Sequence, residues 1–100
     1  MQVSRIEMGT FSVEPTLQNI VYLSEEIIKE LEVLINKKQI KLIKEFDYEI
    51  GELNLDKNLI TIVLQNIFSN AIKYTPENGT VKIKLYKIPE YLRIEVSDSG

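Results

Sequence analysis

The sequence predicts an α+β fold, a two-layer sandwich in which helices cover one face of a mostly antiparallel sheet. Two long segments carry apolar residues at three- and four-residue spacing, a pattern typical of amphipathic helices. Two later segments alternate apolar and polar residues, which is typical of strands with one buried face. The connection between those strands is short, so we expect an antiparallel hairpin that packs against the helices.

The composition excludes several classes of protein. A chain of 100 residues with 44% hydrophobic and 27% charged residues fits one small globular domain. Its net charge of -3 and the absence of a basic run argue against nucleic acid as a partner. Neither a secretory signal nor an apolar run of about 20 residues is present, so we expect a cytoplasmic domain, whose parent protein can still carry a membrane anchor elsewhere.

Two missing residue types restrict the chemistry further. The chain contains no cysteine, which excludes disulfides and thiolate metal sites. It also contains no histidine, so there is no Ser-His-Asp triad and no imidazole within these residues to accept a phosphoryl group.

The first 15 residues predict the end of a helix followed by an extended segment. Gly9 follows Glu7-Met8, where it can end a helix that arrives from the N-terminal side. Phe11, Val13 and Pro15 alternate with polar residues, which indicates a short extended segment.

A long helix and a strand are predicted next. Thr16 is the expected N-cap of a helix from Leu17 to about Asn36, because its hydroxyl can accept a free backbone N–H. The segment from Gln39 to Phe46 is predicted to be a strand, which ends in a turn at Gly51. The helix stripe comprises Ile20, Leu23, Ile27, Ile28, Leu31, Leu34 and Ile35.

The second helix has clear signals at both ends. Asp56 is a good N-cap, and the helix is predicted from Lys57 to about Tyr74. Thr75-Pro76 ends it because proline disfavours helical geometry in the preceding residue, and Asn78-Gly79 then supplies a turn. Its apolar stripe comprises Ile60, Val63, Leu64, Ile67, Phe68 and Ala71.

The hairpin is predicted from Thr80 to Lys87 and from Tyr91 to Asp98. We expect the second strand to lie at an open edge of the sheet and the chain to self-associate through that edge, with the strand from Gln39 to Phe46 as the alternative edge. The residues predicted to face the helices are Val81, Ile83, Leu85, Leu92, Ile94 and Val96.

A first group of candidate site residues lies on the second helix. At 100° per residue, Asn66, Asn70 and Lys73 fall within a sector of roughly 60°, with Tyr74 at its border. Amide oxygens can bind a hard cation such as Mg²⁺, and a lysine can compensate phosphate charge. The group therefore suits a magnesium nucleotide. An ordinary solvated helix face is the competing interpretation, and geometry alone does not decide between them.

The second candidate is Asp98 at the end of the hairpin. Counting by two from Ile94 and Val96 places its carboxylate on the apolar face of the strand. A carboxylate there needs a hydrogen-bond donor, and the exocyclic amine of adenine would be one. From the helical sector and the strand alternation we expect Asn70, Lys73 and Asp98 to lie on one concave surface. Alternatively, the strand ends earlier and Asp98 is a turn residue ahead of Gly100.

These motifs occur in a recognisable order. The segment from Asn66 to Pro76 resembles the N box of sensor histidine kinases, and Asp98-Ser99-Gly100 resembles the start of their first glycine-rich box. The segment from Ser4 to Gly9 resembles the end of the second dimerisation helix of this family. The resemblance therefore divides the chain into residues 1–9, the end of that helix or a linker, and residues 10–100, part of the ATP-binding catalytic domain.

The resemblance implies a fold shared with the gyrase and heat-shock-chaperone ATPases, and ATP and Mg²⁺ as the bound cofactors. Asn66 and Asn70 would be the catalytic residues. The implied individual roles are Asn70 as the metal ligand, Asn66 as a supporting polar contact, Lys73 as a phosphate contact, Tyr74 as a wall of the site, Asp98 as the acceptor from adenine, and Gly100 as a point of close backbone approach.

The implied reaction is transfer of the ATP γ-phosphate to a histidine on the dimerisation domain, followed by relay to a response regulator. The parent would be a homodimer, and the family's site continues beyond Asp-x-Gly, so we expect these residues alone to be inactive. Related hydrolases carry Glu where this chain has Asn66, and a neutral amide cannot take a proton from water. The alternatives are a non-catalytic interaction module and an ATP-hydrolysing or anti-sigma-type member of the superfamily.

Overall fold

Three helices and six strands make up the part of the chain that the computed structural model describes, which is residues 2–8, 16–88 and 91–98. The α+β class predicted from the sequence is confirmed. In chain order the elements are β1 (Gln2–Met8), β2 (Thr16–Asn19), α1 (Ile20–Glu30), α2 (Glu32–Lys38), β3 (Lys41–Phe46), β4 (Glu52–Leu55), α3 (Lys57–Tyr74), β5 (Thr80–Ile88) and β6 (Tyr91–Asp98).

The strands form two sheets. The larger has the order β1-β6-β5-β3, and β2 pairs with β4 in a small antiparallel sheet. Within the larger sheet, β6 is antiparallel to both β5 and β1, whereas β3 is parallel to β5. The parallel pair arises because the chain crosses over through β4 and α3 before it returns as β5.

The core lies between the helices and one face of the larger sheet. As the alternation predicts, Lys82 and Lys84 on the outer face are partly exposed, and the residues expected to face the helices are buried, namely Val81, Ile83, Leu85, Leu92, Ile94 and Val96. Helix α3 contributes Ile60, Leu64 and Phe68, each at most 1% exposed. This burial fixes which side of α3 faces the sheet, and hence which side is left for solvent or a ligand.

Helix α3 has the predicted bounds. The Asp56 carboxylate accepts from the backbone N–H of Leu59 at 3.1 Å, which is an N-cap hydrogen bond. At the other end Thr75 has extended geometry, with φ -80° and ψ 132°, and it precedes Pro76. The predicted turns at Gly51 and Asn78 are also present, with positive φ values of 73° and 67°.

The first helix differs from the prediction. Thr16 does not cap it, because residues 16–19 pair with β4, a strand that the sequence analysis did not predict. The helix begins one turn later, where the Asn19 side chain accepts from the N–H of Tyr22 at 3.1 Å. It is divided at Leu31, and Gln39 ends its second part in left-handed geometry, so β3 starts two residues after the predicted position.

The N-terminal prediction of a helix end over residues 2–9 is wrong for the described residues 2–8, which form β1. They pair with β6 from Gln2↔Asp98 to Met8↔Leu92. This pairing satisfies backbone groups on the side of β6 away from β5, so β6 is not the open edge that we predicted. Gly9 and the predicted extended segment at 11–15 lie outside the described residues, and the division of the chain at residue 9 stays a prediction.

None of the helices in the described ranges combines the length and the apolar character that a membrane-spanning helix requires.

Candidate functional site

A cavity of about 180 Å³ lies where α3 meets the end of β6. Its polar lining comes from Asn66, Asn70 and Tyr74 of the helix and from Asp98 of the strand. Its apolar lining is formed by Ile67, Ala71 and Val96. Two elements that are separated in the sequence therefore bring four of the six candidate site residues together.

Helical geometry explains the three positions on α3. Asn66, Asn70 and Tyr74 are spaced by four residues, so their side chains follow one another along a single strip of the helix. Phe68 and Ile72 on another side are each 1% exposed, and they anchor the helix in the core. The strip that carries the amides is consequently directed along the border between core and solvent.

Asp98 occupies the position that strand alternation predicts. It is the last residue of β6 and lies opposite Val81 of β5 in the register. Its side chain is half-buried and lines the cavity beside Val96, two residues earlier on the same face. The carboxylate is thus at the α3 side of the sheet, at the rim of the core rather than inside it.

Lys73 and Gly100 are not among these lining residues. The Lys73 ammonium lies 5.6 Å from the centroid of the Tyr74 ring, and the Tyr74 side chain is itself 67% exposed. We predicted that Asn70, Lys73 and Asp98 share one concave surface, and the structure brings Asn70 and Asp98 together while leaving Lys73 exposed beside Tyr74. Gly100 lies outside the described residues.

The chemistry of the cavity fits a metal that arrives with its ligand. Two neutral amides and one carboxylate offer hard oxygen atoms, but no group of three or more Asp, Glu, His or Cys side chains suited to a metal occurs in the described ranges. Mg²⁺ commonly takes only one or two protein oxygens and completes its shell with phosphates and water. The volume is also below the roughly 300 Å³ of typical ligand pockets, so the cavity accounts for only part of a nucleotide site.

The apolar wall of this cavity was not predicted from the sequence. Ile67, Ala71 and Val96 were assigned to the core because their spacing matches the buried stripes. Their positions in the sequence could have indicated a role in the cavity, since Ile67 and Ala71 each directly follow a candidate asparagine. A residue next to a polar strip on a helix can border both the core and a ligand site.

A larger hollow of about 610 Å³ lies along α1, away from these residues. The described residues that line it are Tyr22, Glu25, Glu26, Lys29 and Glu30, all on one helix. Because no second described element contributes to it, the converging groups of different chemistry that mark a functional site are found at α3 and β6 instead.

A match to a known family assigns the second half of the chain to a class of ATPase domains. Residues 55–100 match the family of histidine kinase-, DNA gyrase B- and HSP90-like ATPases, and this part of the chain belongs to that family. The match covers the second half of the chain, including α3, the hairpin and Asp98.

The curated relatives that the chain matches are sensory kinases within this class. The adaptive-response sensory kinase SasA of Crocosphaera subtropica is 30% identical over 101 residues, which is 100% of this chain and 26% of the relative. SasA of Gloeothece citriformis is 32% identical over 76 residues, or 75% of this chain and 19% of the relative. The chain thus spans about a quarter or less of the length of these curated relatives.

Solved structures agree with the relatives. The catalytic domain of the histidine kinase ThkA superposes with a TM-score of 0.82 and 34% identity, over 88% of this chain and 60% of that chain. ThkA in complex with the response regulator TrrA gives a TM-score of 0.79, over 86% of this chain and 26% of that chain. The chain is accordingly part of the ATP-binding catalytic domain of a histidine kinase, as the two motifs predicted.

Proposed function

We propose that the chain holds Mg-ATP in a sensor kinase, so that the γ-phosphate can be transferred to a histidine on a dimerisation domain and passed on to a response regulator. The observation that carries this proposal is the cavity shared by Asn66, Asn70, Tyr74 and Asp98. The solved complex of ThkA with TrrA supports the last step by similarity. A homodimeric parent and a cytoplasmic setting belong to the same proposal.

Each candidate residue takes a role that matches its chemistry. The Asn70 amide oxygen would bind Mg²⁺, which would neutralise phosphate charge during transfer. The Asn66 amide would support it from one turn earlier on α3. The Asp98 carboxylate would accept a hydrogen bond from the exocyclic amine of adenine, and the Tyr74 ring would form a wall of the site.

Two roles rest on the family resemblance rather than on the cavity. Lys73 would contact a phosphate group, and its long exposed side chain has the freedom to turn from the Tyr74 ring toward the ligand. Gly100 would let the backbone approach the base closely, because glycine has no Cβ.

Transfer rather than hydrolysis is the activity that Asn66 favours. In the reaction, the bond between the γ-phosphorus and the bridging oxygen breaks, a bond from the acceptor nitrogen to phosphorus forms, and ADP leaves. Asn66 has no basic group to accept a proton from an attacking water. The chain has no histidine, so the acceptor nitrogen must come from outside these residues.

Nucleotide binding tests the proposal directly. We expect a fluorescent ATP analogue to bind the purified chain weakly and in a Mg²⁺-dependent manner. Asn70→Ala should weaken binding about tenfold or more, the equivalent of one lost ligand or charge-assisted contact. Gln65→Ala is the matched control, because Gln65 is an exposed amide on the same helix that does not line the cavity.

A phosphoryl-transfer assay completes this test. With radiolabelled ATP, the isolated chain should acquire no label, whereas a kinase that contains it should label its histidine, and Asn70→Asp should reduce that labelling. If the Asn70→Ala and Gln65→Ala variants bind the analogue equally well, the cavity is not part of the nucleotide site. Stable label on the isolated chain would contradict the proposed acceptor.

A further inference from the structure

The carbonyl groups at the C-terminal end of α3 lose their usual partners. The last four carbonyls of a helix have no N–H within the helix to accept from. At the end of α3 even fewer N–H donors are available, because Pro76 has no N–H that could reach the Ile72 carbonyl and the chain leaves helical geometry at Thr75. The Thr75 hydroxyl donates to the Ala71 carbonyl at 2.6 Å, and among the three remaining carbonyls those of Ile72 and Lys73 precede the last residue of the helix and still need donors.

A lysine that is far from them in the sequence donates to both the Ile72 and the Lys73 carbonyl. The Nζ atom of Lys38, the last residue of α2, donates to the Ile72 carbonyl at 2.8 Å and to the Lys73 carbonyl at 2.8 Å. An ammonium group has three donors, so one side chain can serve two acceptors. Its positive charge also lies at the negative end of the α3 dipole, where a cation is favourable.

The backbone around Lys38 is joined to the same region. Its carbonyl accepts from the N–H of Asn78 at 2.9 Å, and the N–H of Lys41 donates to the Gly79 carbonyl at 2.9 Å. Residues 38–41 therefore contact both the end of α3 and the turn that follows it. Lys38 joins these contacts at one point, since its side chain serves the helix and its carbonyl serves the turn.

The carbonyls that Lys38 holds belong to the turn of α3 that carries the candidate site. Lys73 is the proposed phosphate contact and Tyr74 lines the cavity. A helix end without partners for its carbonyls tends to fray, and fraying here would change the directions of both side chains. We infer that Lys38 is a positioning residue for the nucleotide site, which holds the last turn of α3 in place without contacting the ligand itself.

This inference rests on the proposed function for the identity of the ligand, but the hydrogen bonds of Lys38 can be tested without any ligand. Lys38→Met keeps an unbranched side chain of similar length and removes the ammonium, whereas Lys38→Arg keeps a charged donor. Lys37→Met is the matched control, because Lys37 is an exposed lysine at the same end of α2.

Amide hydrogen exchange of the purified chain, followed by NMR, is the first measurement. In Lys38→Met we expect amides of residues 70–74 to exchange about tenfold faster than in the wild type, because the last turn opens locally. Ile60 and Leu64, in the first half of α3, should keep their rates. Lys38→Arg should restore slow exchange, and Lys37→Met should leave it unchanged. Uniformly faster exchange throughout α3 would indicate a general loss of stability and would contradict a local role.

Affinity for a fluorescent ATP analogue with Mg²⁺ is the second measurement. We expect Lys38→Met to bind it about threefold to tenfold more weakly, and Lys38→Arg to recover most of the affinity. Faster exchange at residues 70–74 with unchanged affinity would overturn the positioning role. If Lys38→Met is unaffected while Asn70→Ala loses binding, the inference fails and the proposed function stands. If the wild type binds no nucleotide, the proposed function and the positioning role both fail, and the exchange rates still decide whether Lys38 holds the helix end.

Discussion

Neutral amides and a single carboxylate give the cavity its residue-level chemistry. Asn66 and Asn70 do not titrate, so their oxygens are available as acceptors at any physiological pH. An ionised aspartate can only accept hydrogen bonds, and Asp98 would therefore select a ligand that presents a donor. The exocyclic amine of adenine is such a donor, whereas guanine presents a carbonyl oxygen at the same ring position and would be repelled.

A change at Asp98 should alter base preference more than phosphate binding. We expect Asp98→Ala to weaken binding of an ATP analogue about tenfold to a hundredfold, because a hydrogen bond to a charged group contributes about 1.5–3 kcal/mol. Asp98→Asn should reduce the preference for ATP over GTP, since an amide can donate as well as accept. Competition of both nucleotides against a fluorescent analogue measures the two effects.

The control for charge alone is Glu77→Gln, which removes an exposed carboxylate in the turn after α3. This variant should bind both nucleotides like the wild type. If Asp98→Asn keeps the full preference for adenine, Asp98 does not read the base.

At the scale of elements, local signals predicted both ends of α3 but not the start of the first helix. Asp56 and Pro76 act through neighbours in the sequence, so both ends of α3 could be predicted without tertiary information. At the first helix, Thr16 and Asn19 are both good caps. The choice between them depends on β4, because pairing with β4 extends residues 16–19 and leaves Asn19 as the N-cap.

The edge position of β3 can be tested with a pair of proline substitutions. The N–H of Asp47 donates to the Leu85 carbonyl of β5, and that of Lys41 donates to the carbonyl of Gly79, directly before β5. Alternation therefore directs the N–H of Glu45 toward β5 and that of Lys44 away from it. Glu45→Pro should lower the free energy of unfolding by about 1–3 kcal/mol more than Lys44→Pro, because it removes a hydrogen bond between strands. Urea denaturation measures both.

Glu45→Ala is the control for side-chain loss, since Glu45 also forms exposed ion pairs with Lys82 at 3.7 Å and Lys84 at 3.6 Å. Exposed pairs of this kind contribute little, so this variant should stay close to the wild type. Equal destabilisation by the two prolines would mean that the outer side of β3 is also paired.

At the scale of the whole molecule, β1 determines which edge of the sheet is open. A strand between two partners has its backbone groups satisfied on both sides, and β6 has this position between β5 and β1. Among the described strands, β1 and β3 form the edges of the larger sheet. The strand from Gln39 to Phe46, our alternative for the open edge, is therefore one of the two edges, and the strand from Tyr91 to Asp98 is neither.

Removal of residues 1–9 should expose the β6 edge. We expect the chain of residues 1–100 to keep a concentration-independent mass in light scattering, and residues 10–100 to associate as concentration rises, because unpaired strand groups promote pairing between chains. If residues 10–100 stay monomeric, β1 is not needed to cover β6. That result would agree with the predicted domain boundary at residue 9, under which residues 1–9 are not part of the catalytic domain.

The sequence by itself determined the alternating hairpin, the bounds of α3 and the two family motifs, because these depend on periodicity and on residues close together in the chain. Tertiary structure alone decided that Asn70 and Asp98 share a cavity while Lys73 lies outside its lining, since this depends on how α3 sits on β6. It also decided the pairing of β1 with β6 and of β2 with β4, because backbone hydrogen bonds between distant segments leave no periodic signal in either partner. The contact of Lys38 with the end of α3 was also decided by the tertiary structure, because Lys38 and Ile72 are 34 positions apart in the sequence.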